Sequence, residues 1–279
     1  MEVIVKRVTL LKNQTGVALE ILKNVSFNLK SNNIYAFIGE SSSGKTNLCE
    51  LLAFLQKPSH GFIRVGNYIN NSINSCEAKL RYSIGYLSKK PGEMFVCNTV
   101  KKELMFSLKR FKYNKAKKEQ KIIDIIKMVG LNENYLEYDP LRLNLNEQKK
   151  LALACILIYN PKIIIIDEPT IGLNSKEKKD LIRLLNILKN KYKKMIIIMS
   201  KDTDFIYSFV SYVYILSKGE IVASGEVNIL SNSKLLNKYS IKVPEIVKFV
   251  DEVKKKRKKF NYYNNLSDLI KAVYRNAGK

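Results

Sequence analysis

The sequence predicts an α/β fold built around a phosphate-binding loop, and three observations carry that prediction. Gly39-Glu40-Ser41-Ser42-Ser43-Gly44-Lys45-Thr46 has the required glycine, lysine and threonine spacing. Residues 163–166 are four consecutive isoleucines, and Asp167 and Glu168 follow them directly. Short apolar runs alternate with stretches of helical periodicity along most of the 279 residues.

The length suits one large α/β domain with a small appendage, or two modest domains, and the hydrophobic fraction of 46% supports a packed core. No run reaches the length of a membrane span. The longest apolar stretch, 151–166, is interrupted by Asn160-Pro161-Lys162, which suits a break between helix and strand. The first residues, Met1-Glu2-Val3-Ile4-Val5-Lys6, place an acid where a signal peptide carries base, so a cytosolic protein is expected. Cys49, Cys76, Cys97 and Cys155 show no CxxC spacing, which argues against a zinc site or a disulfide framework.

The formal net charge is +24. Such a surface attracts nucleic acid or an anionic membrane. A plainer source is AT-rich coding, because 41 lysines stand against 8 arginines. Nucleic-acid binders lean on arginine for bidentate contacts, so no nucleic-acid partner is expected.

Strand patterns open the chain at 3–8, 25–29 and 34–38, punctuated by Ser31-Asn32-Asn33. Beyond the loop, Leu48, Leu51, Leu52 and Leu55 recur at helical spacing. Pro58-Ser59-His60-Gly61 turns into a strand at 62–65, and 100–129 reads as helical and lysine-rich. A long helix is expected over 175–192, with Leu181, Leu184, Leu185 and Leu188 on one face. A buried strand follows at 195–199, then a hairpin of 212–216 and 221–223 through Ser217-Lys218-Gly219. Past Ser231 the composition shifts to charged helix-formers, including the basic run 254–259, which reads as a solvated face.

The loop binds phosphate because its glycines let backbone N–H groups converge on oxygens while the following helix adds its positive end. Lys45 is placed to reach the β- and γ-phosphates, and Thr46 to ligate Mg²⁺. The isoleucine strand presents two acids at its tip: Asp167 to hold Mg²⁺ and Glu168 to orient or deprotonate the attacking water. The two halves lie about 120 residues apart.

Asp167-Glu168-Pro169-Thr170-Ile171-Gly172-Leu173 resembles the ATPase pattern of ABC transporters. Leu52 to Gly61, Ile84-Gly85-Tyr86-Leu87, Pro91 and Thr99-Val100 are similar to the energy-coupling factor (ECF) vitamin transporters, best to their A2-type ATP-binding subunit. The tail from Pro244-Glu245-Ile246-Val247 onward looks like that family's dimerisation extension. The resemblance covers nearly the whole chain. It implies a mixed core sheet with an antiparallel β subdomain, a helical subdomain at about 89–157, and an α-helical extension over 231–279 behind a nucleotide-binding domain of 1–230. It further implies ATP and Mg²⁺ at residues 39–46 and Asn47, and a head-to-tail dimer with a second ATPase subunit. That dimer docks on a transmembrane T subunit, working with a substrate-binding S subunit at the cytoplasmic face of the membrane.

Several positions depart from the family pattern. The signature Leu-Ser-Gly-Gly-Gln aligns with Leu143-Asn144-Leu145-Asn146-Glu147. Leu145 adds bulk where backbone must approach a partner's ATP, and Glu147 adds negative charge, although Asn144 can still cap the helix. The glutamine that links metal and water aligns with Lys89, and the switch histidine with Lys201. Lys201 can donate to the γ-phosphate and is the third expected catalytic residue beside Glu168 and Lys45. Asn174 replaces the acid after Gly-Leu, Lys12 falls near the adenine-stacking aromatic, and Ser42 replaces a third loop glycine. Two readings stay open: an ATPase subunit of an ECF-type importer, or a catalytically impaired nucleotide-binding half of a heterodimer.

Overall fold

The computed structural model describes residues 1–14, 17–70, 80, 82–256, 260–263 and 266–277. Cys76 and the last three residues of the basic run 254–259 lie outside them. A long antiparallel hairpin, β1 (Val3–Gln14) and β2 (Val17–Leu29), opens the chain. Then come β3 (Ile34–Ile38), α1 (Lys45–Leu52), β4 (His60–Val65), β5 (Tyr68–Ile69) and β6 (Ile84–Leu87). The helical part follows as α2 (Val100–Ser107), α3 (Lys115–Val129) and α4 (Leu145–Leu157). The chain returns through β7 (Ile163–Asp167), α5 (Ser175–Asn190), β8 (Met195–Ser200), α6 (Thr203–Tyr207), β9 (Tyr212–Ser217) and β10 (Glu220–Glu226). Helices α7 (Ser233–Lys238), α8 (Glu245–Lys256) and α9 (Leu266–Ala277) complete it.

The strands form two sheets. One is antiparallel in the order β2-β1-β4-β5; the other has the order β10-β9-β3-β8-β7-β6 and is parallel except at its β10 edge. The mixed core sheet and separate antiparallel sheet match the expected fold class. Central strands are buried on both faces, and their period of two splits them between two cores. Ile34, Ala36, Ile38, Ile164 and Ile166 join a core with α4 and α5, whereas Tyr35, Phe37, Ile163 and Ile165 join one with α1 and the antiparallel sheet.

Two expectations change. The hairpin β1–β2 is longer than 3–8 and 25–29 suggest, because its tip pairs backbone to backbone while Leu11, Val17 and Leu19 stay exposed and leave no apolar alternation to read. The helical middle breaks between α2 and α3, where Asn114 caps α3 by accepting from the Lys117 N–H. The β9–β10 hairpin closes through Lys218 and Gly219, both at positive φ (49° and 83°), as a two-residue primed turn demands. Gly219 touches the loop directly: its N–H donates to the Ser43 carbonyl.

The main core extends through Leu236, Ile241, Val243 and Val247. A separate small cluster of Val250, Phe260, Leu269 and Ala272 holds α8 and α9 together. No helix among the described residues is long and apolar enough to cross a membrane.

Candidate functional site

Strand β3 delivers Gly39 to the carboxyl end of the parallel sheet, where open α/β sheets place their ligands. Gly39 is tightly confined, since a Cβ there would lie 2.1 Å from the Leu216 carbonyl oxygen. The loop then turns through Ser42 (φ 68°) and Gly44 (φ 99°). Glycine takes that conformation freely; for Ser42 it costs about 1 kcal/mol. Gly44 is the N-cap of α1, and no side chain caps it. The amides of the first turn are therefore left for an anion.

The Lys45 ammonium sits behind the loop and donates to the carbonyls of Gly39 and Glu40 at 2.7 Å each, and to Ser43 Oγ at 3.3 Å. Burial pulls its pKa below the usual lysine range, against the attraction of Glu168 and Asp167. From α1, Thr46 Oγ1 donates to Asp167 Oδ2 at 2.7 Å. The twin oxygen, Asp167 Oδ1, is buried and has no hydrogen-bond partner. Burial raises the Asp167 pKa, with the Thr46 bond, Lys45 and Lys89 opposing it. A buried, unsatisfied carboxylate oxygen beside a threonine hydroxyl fits a hard divalent cation, which would supply the missing partner.

Glu168 follows with φ 47°, its N–H donating to the Met199 carbonyl. Its Oε2 accepts from Ser200 Oγ at 3.3 Å and from the Lys201 N–H at 3.2 Å. Lys201 thus holds Glu168 through its backbone, while its exposed ammonium is near enough to help depress Lys45. Glu168 and Lys201 line a cavity of about 740 Å³ that runs from residues 39–41 to Asp204 and residues 240–242. Asp202, on that wall, caps α6 and pairs with Lys178 at 2.6 Å. Burial pushes the Asp202 pKa up, but the Lys178 and backbone bonds outweigh it and leave it lowered.

The signature positions lie at the start of α4. Asn144 Oδ1 accepts from the Glu147 N–H, and Glu147 Oε2 accepts from the Asn144 N–H, both at 3.0 Å. This is a complete capping box. The same box recurs at α5, where Asn174 and Glu177 exchange bonds of 2.8 and 3.0 Å. Asn146 bridges the two by donating to Glu177 Oε1 at 2.7 Å. Leu145 covers Gly172, so a Cβ there would come within 2.5 Å of its Cδ2. The Glu147 carboxylate, whose negative charge is the departure noted in the sequence, is bent back onto its own helix. Lys89 is exposed past β6 and meets Asp167 only through its charge. Lys12 is exposed on β1, opposite Leu19.

Sequence reasoning missed Lys149. Its ammonium is buried and donates to the carbonyls of Pro169 (2.9 Å) and Ile171, in the segment directly after Glu168. Burial lowers its pKa to about 8, with Glu168 and Glu177 pulling the other way. A signal was present: Lys149, Ala152, Leu153 and Ile156 recur at i, i+3, i+4 and i+7, which places a lysine in an apolar stripe.

Comparison with known proteins gives the site a context. A family model described as ABC transporter matches residues 22–171. The energy-coupling factor transporter ATP-binding protein EcfA2 of Staphylococcus epidermidis is 30% identical over 245 residues, covering 87% of this chain and 86% of the relative. EcfA3 of Oenococcus oeni is 28% identical over 244 residues, covering 86% and 84%. A solved dimeric post-hydrolysis state of the ATP-binding cassette MJ0796, bound to ADP and Pi, superposes with a TM-score of 0.74 at 26% identity, over 81% of this chain and 98% of that one.

Proposed function

The chain belongs to the ABC transporter family, among the ATP-binding subunits of energy-coupling factor transporters, and we propose that ATP and Mg²⁺ bind at residues 39–47 and that Glu168 supports hydrolysis. The observation that carries this reading is the Thr46–Asp167 hydrogen bond beside an unpaired, buried Asp167 oxygen, directly next to an uncapped helix N-terminus. Lys45 exchanges its loop carbonyls for β- and γ-phosphate oxygens when nucleotide enters. Mg²⁺ held by Thr46 and Asp167 would neutralise charge on those oxygens. With Oε2 of Glu168 held by Ser200 and the Lys201 amide, Oε1 is left to orient water and take its proton. The Lys201 ammonium adds positive charge near the γ-phosphate in place of an imidazole.

The partner set follows from the family. A second ATPase subunit supplies the signature loop facing Lys45, and the exposed apolar residues Phe249, Ile270, Val273 and Tyr274 of α8 and α9 are the candidate contact of a dimerising extension over 231–279. A groove of about 1160 Å³ between the end of α1, β6, α2 and α4 is open and partly apolar, with Leu55 and Phe106 exposed in it. It suits a helix from the transmembrane T subunit, which works with an S subunit that sets the substrate. That arrangement puts the chain at the cytoplasmic face of the membrane.

The test is steady-state ATPase activity and transport of the assembled complex carrying Glu168→Gln. Turnover is expected to fall by at least about 100-fold at this site. Unchanged turnover and transport would remove the catalytic role. One observation favours a second reading, a nucleotide-binding half that contributes little to its partner's site: the Glu147 carboxylate is held against the Asn144 N–H, a negative charge at the helix start that a signature loop turns toward phosphate.

A further inference from the structure

The net charge is not spread evenly. From residue 109 to 121, across the turn between α2 and α3, the chain places seven lysine or arginine residues against one carboxylate, Glu119. Six of the seven cations are lysines. None of the seven pairs with a described carboxylate; the ion pairs of this subdomain involve other residues, such as Lys101 with Glu137 and Lys127 with Glu133. Lys109, Arg110, Lys112, Lys115 and Lys117 are exposed.

An aromatic row runs beneath them. Tyr82 meets Phe111 edge-on at 5.6 Å, and Phe111 stacks on Tyr113 at 5.8 Å with an interplanar angle of 4°. Cations lie over both ends: Arg110 over Tyr82 at 5.9 Å, and Lys117 and Lys121 over Tyr113 at 5.1 and 5.0 Å. Phe106, 52% exposed, adds a further ring at this edge, with Lys109 above it. Tyr82, Phe106, Lys109 and Arg110 also line the open groove between α1 and α4. The basic face is therefore continuous with the groove's rim.

We propose that this basic and aromatic face, residues 106–121, rests on the anionic phospholipid headgroups of the bilayer beside the membrane subunit. The inference rests on the reading that the groove receives a membrane subunit, because that docking turns this edge toward the lipid. Lysine ammonium groups on flexible stems attract an anionic surface without needing fixed geometry, each contributing about 1 kcal/mol. Rings at the same edge suit the boundary between headgroups and acyl chains. A nucleic-acid partner would call for forked arginines, and this face has one.

The test uses the full-length purified chain and vesicles of phosphatidylcholine, alone or with about 30% phosphatidylglycerol, read by flotation at rising salt. Binding is expected only with the anionic lipid and is lost as salt rises. The variant Lys112→Glu, Lys115→Glu, Lys117→Glu, Lys118→Glu should reduce partitioning at least about tenfold. Three of these changes, at Lys115, Lys117 and Lys118, put an acid into the first turn of α3, which favours the helix, so folding is preserved and a thermal melt verifies it. A control with the same charge change at Lys6, Lys30, Lys179 and Lys191 should lose less than about threefold. Equal losses in the two variants, absence of lipid preference, or binding of poly(U) RNA instead of vesicles each overturns the proposal. If wild-type chain ignores anionic vesicles while the assembled transporter hydrolyses ATP and transports, the lipid inference alone has failed. If the chain binds them but no membrane subunit occupies the groove, the docking reading has failed.

Discussion

Two helix N-termini in this chain face opposite fates. At α1 the cap is Gly44, in a left-handed conformation and without a side-chain partner, so first-turn amides stay open to an anion. At α4 the cap is Asn144, and its exchange of bonds with Glu147 closes the same kind of terminus with the chain's own carboxylate. Both helices form readily. The difference lies in what each leaves unsatisfied: the α1 end gathers Lys45, Thr46 and the unpaired Asp167 oxygen, whereas at the α4 end Asn144 and Glu147 satisfy one another's N–H groups. A capping box contributes about 1 kcal/mol to a helix, so the α4 end gains local stability from its own carboxylate.

The sharpest way to break this comparison is to reopen the closed end. Asn144→Ser, Leu145→Gly, Asn146→Gly and Glu147→Gln together remove the Glu147 carboxylate, the leucine over Gly172 and the Asn146–Glu177 bridge. ATPase turnover of the assembled complex is expected to rise about tenfold, because a negative charge and a bulky side chain leave the surface proposed to meet a partner's γ-phosphate. Turnover that stays level or falls would mean these side chains do not limit the partner's site.

A smaller effect is expected at Lys149, which connects α4 to the segment after Glu168 through the carbonyls of Pro169 and Ile171. Its pKa, lowered to about 8 by burial, makes the effect pH-dependent. Glu168 on the β7 side and Glu177 on α5 favour its charge. Lys127 on α3, Lys150 on α4, and Asp180 and Arg183 on α5 also line its cavity. Below pH 8 the ammonium is present in both folded and unfolded chains, and the cost of burying it is fully felt. Between the folded value near 8 and the unfolded value near 10.5 the folded chain binds fewer protons, so stability rises with pH while the charge-assisted bonds fade. Lys149→Met is expected to lower turnover several-fold, and Lys149→Arg to preserve it above pH 8, where wild type declines. A shared alkaline decline in wild type and Lys149→Arg would assign that limb elsewhere.

Much of this was legible because the residues concerned act locally. The loop spacing and the isoleucine strand specify a buried parallel sheet with acids at its tip, and Asn144 advertises a helix cap. What escaped reading depends on contacts across the fold. The carboxylate of Glu147 turns back to the Asn144 N–H, a choice that charge alone does not reveal. The second box, at Asn174 and Glu177, matters because Asn146 joins it to the first across 31 residues. Lys149 looked like one more lysine in a lysine-rich chain until its carbonyl partners fixed it inside. The β1–β2 tip was hidden for the opposite reason, since exposed strand residues carry no burial pattern.

Nucleotide retention by the assembled complex carrying Glu168→Gln tests the open α1 end most directly. The account predicts that ATP, not ADP, stays bound at this chain, and that adding Lys45→Ala lowers its affinity at least about 100-fold. ATP retained unchanged in the Lys45→Ala complex would contradict it.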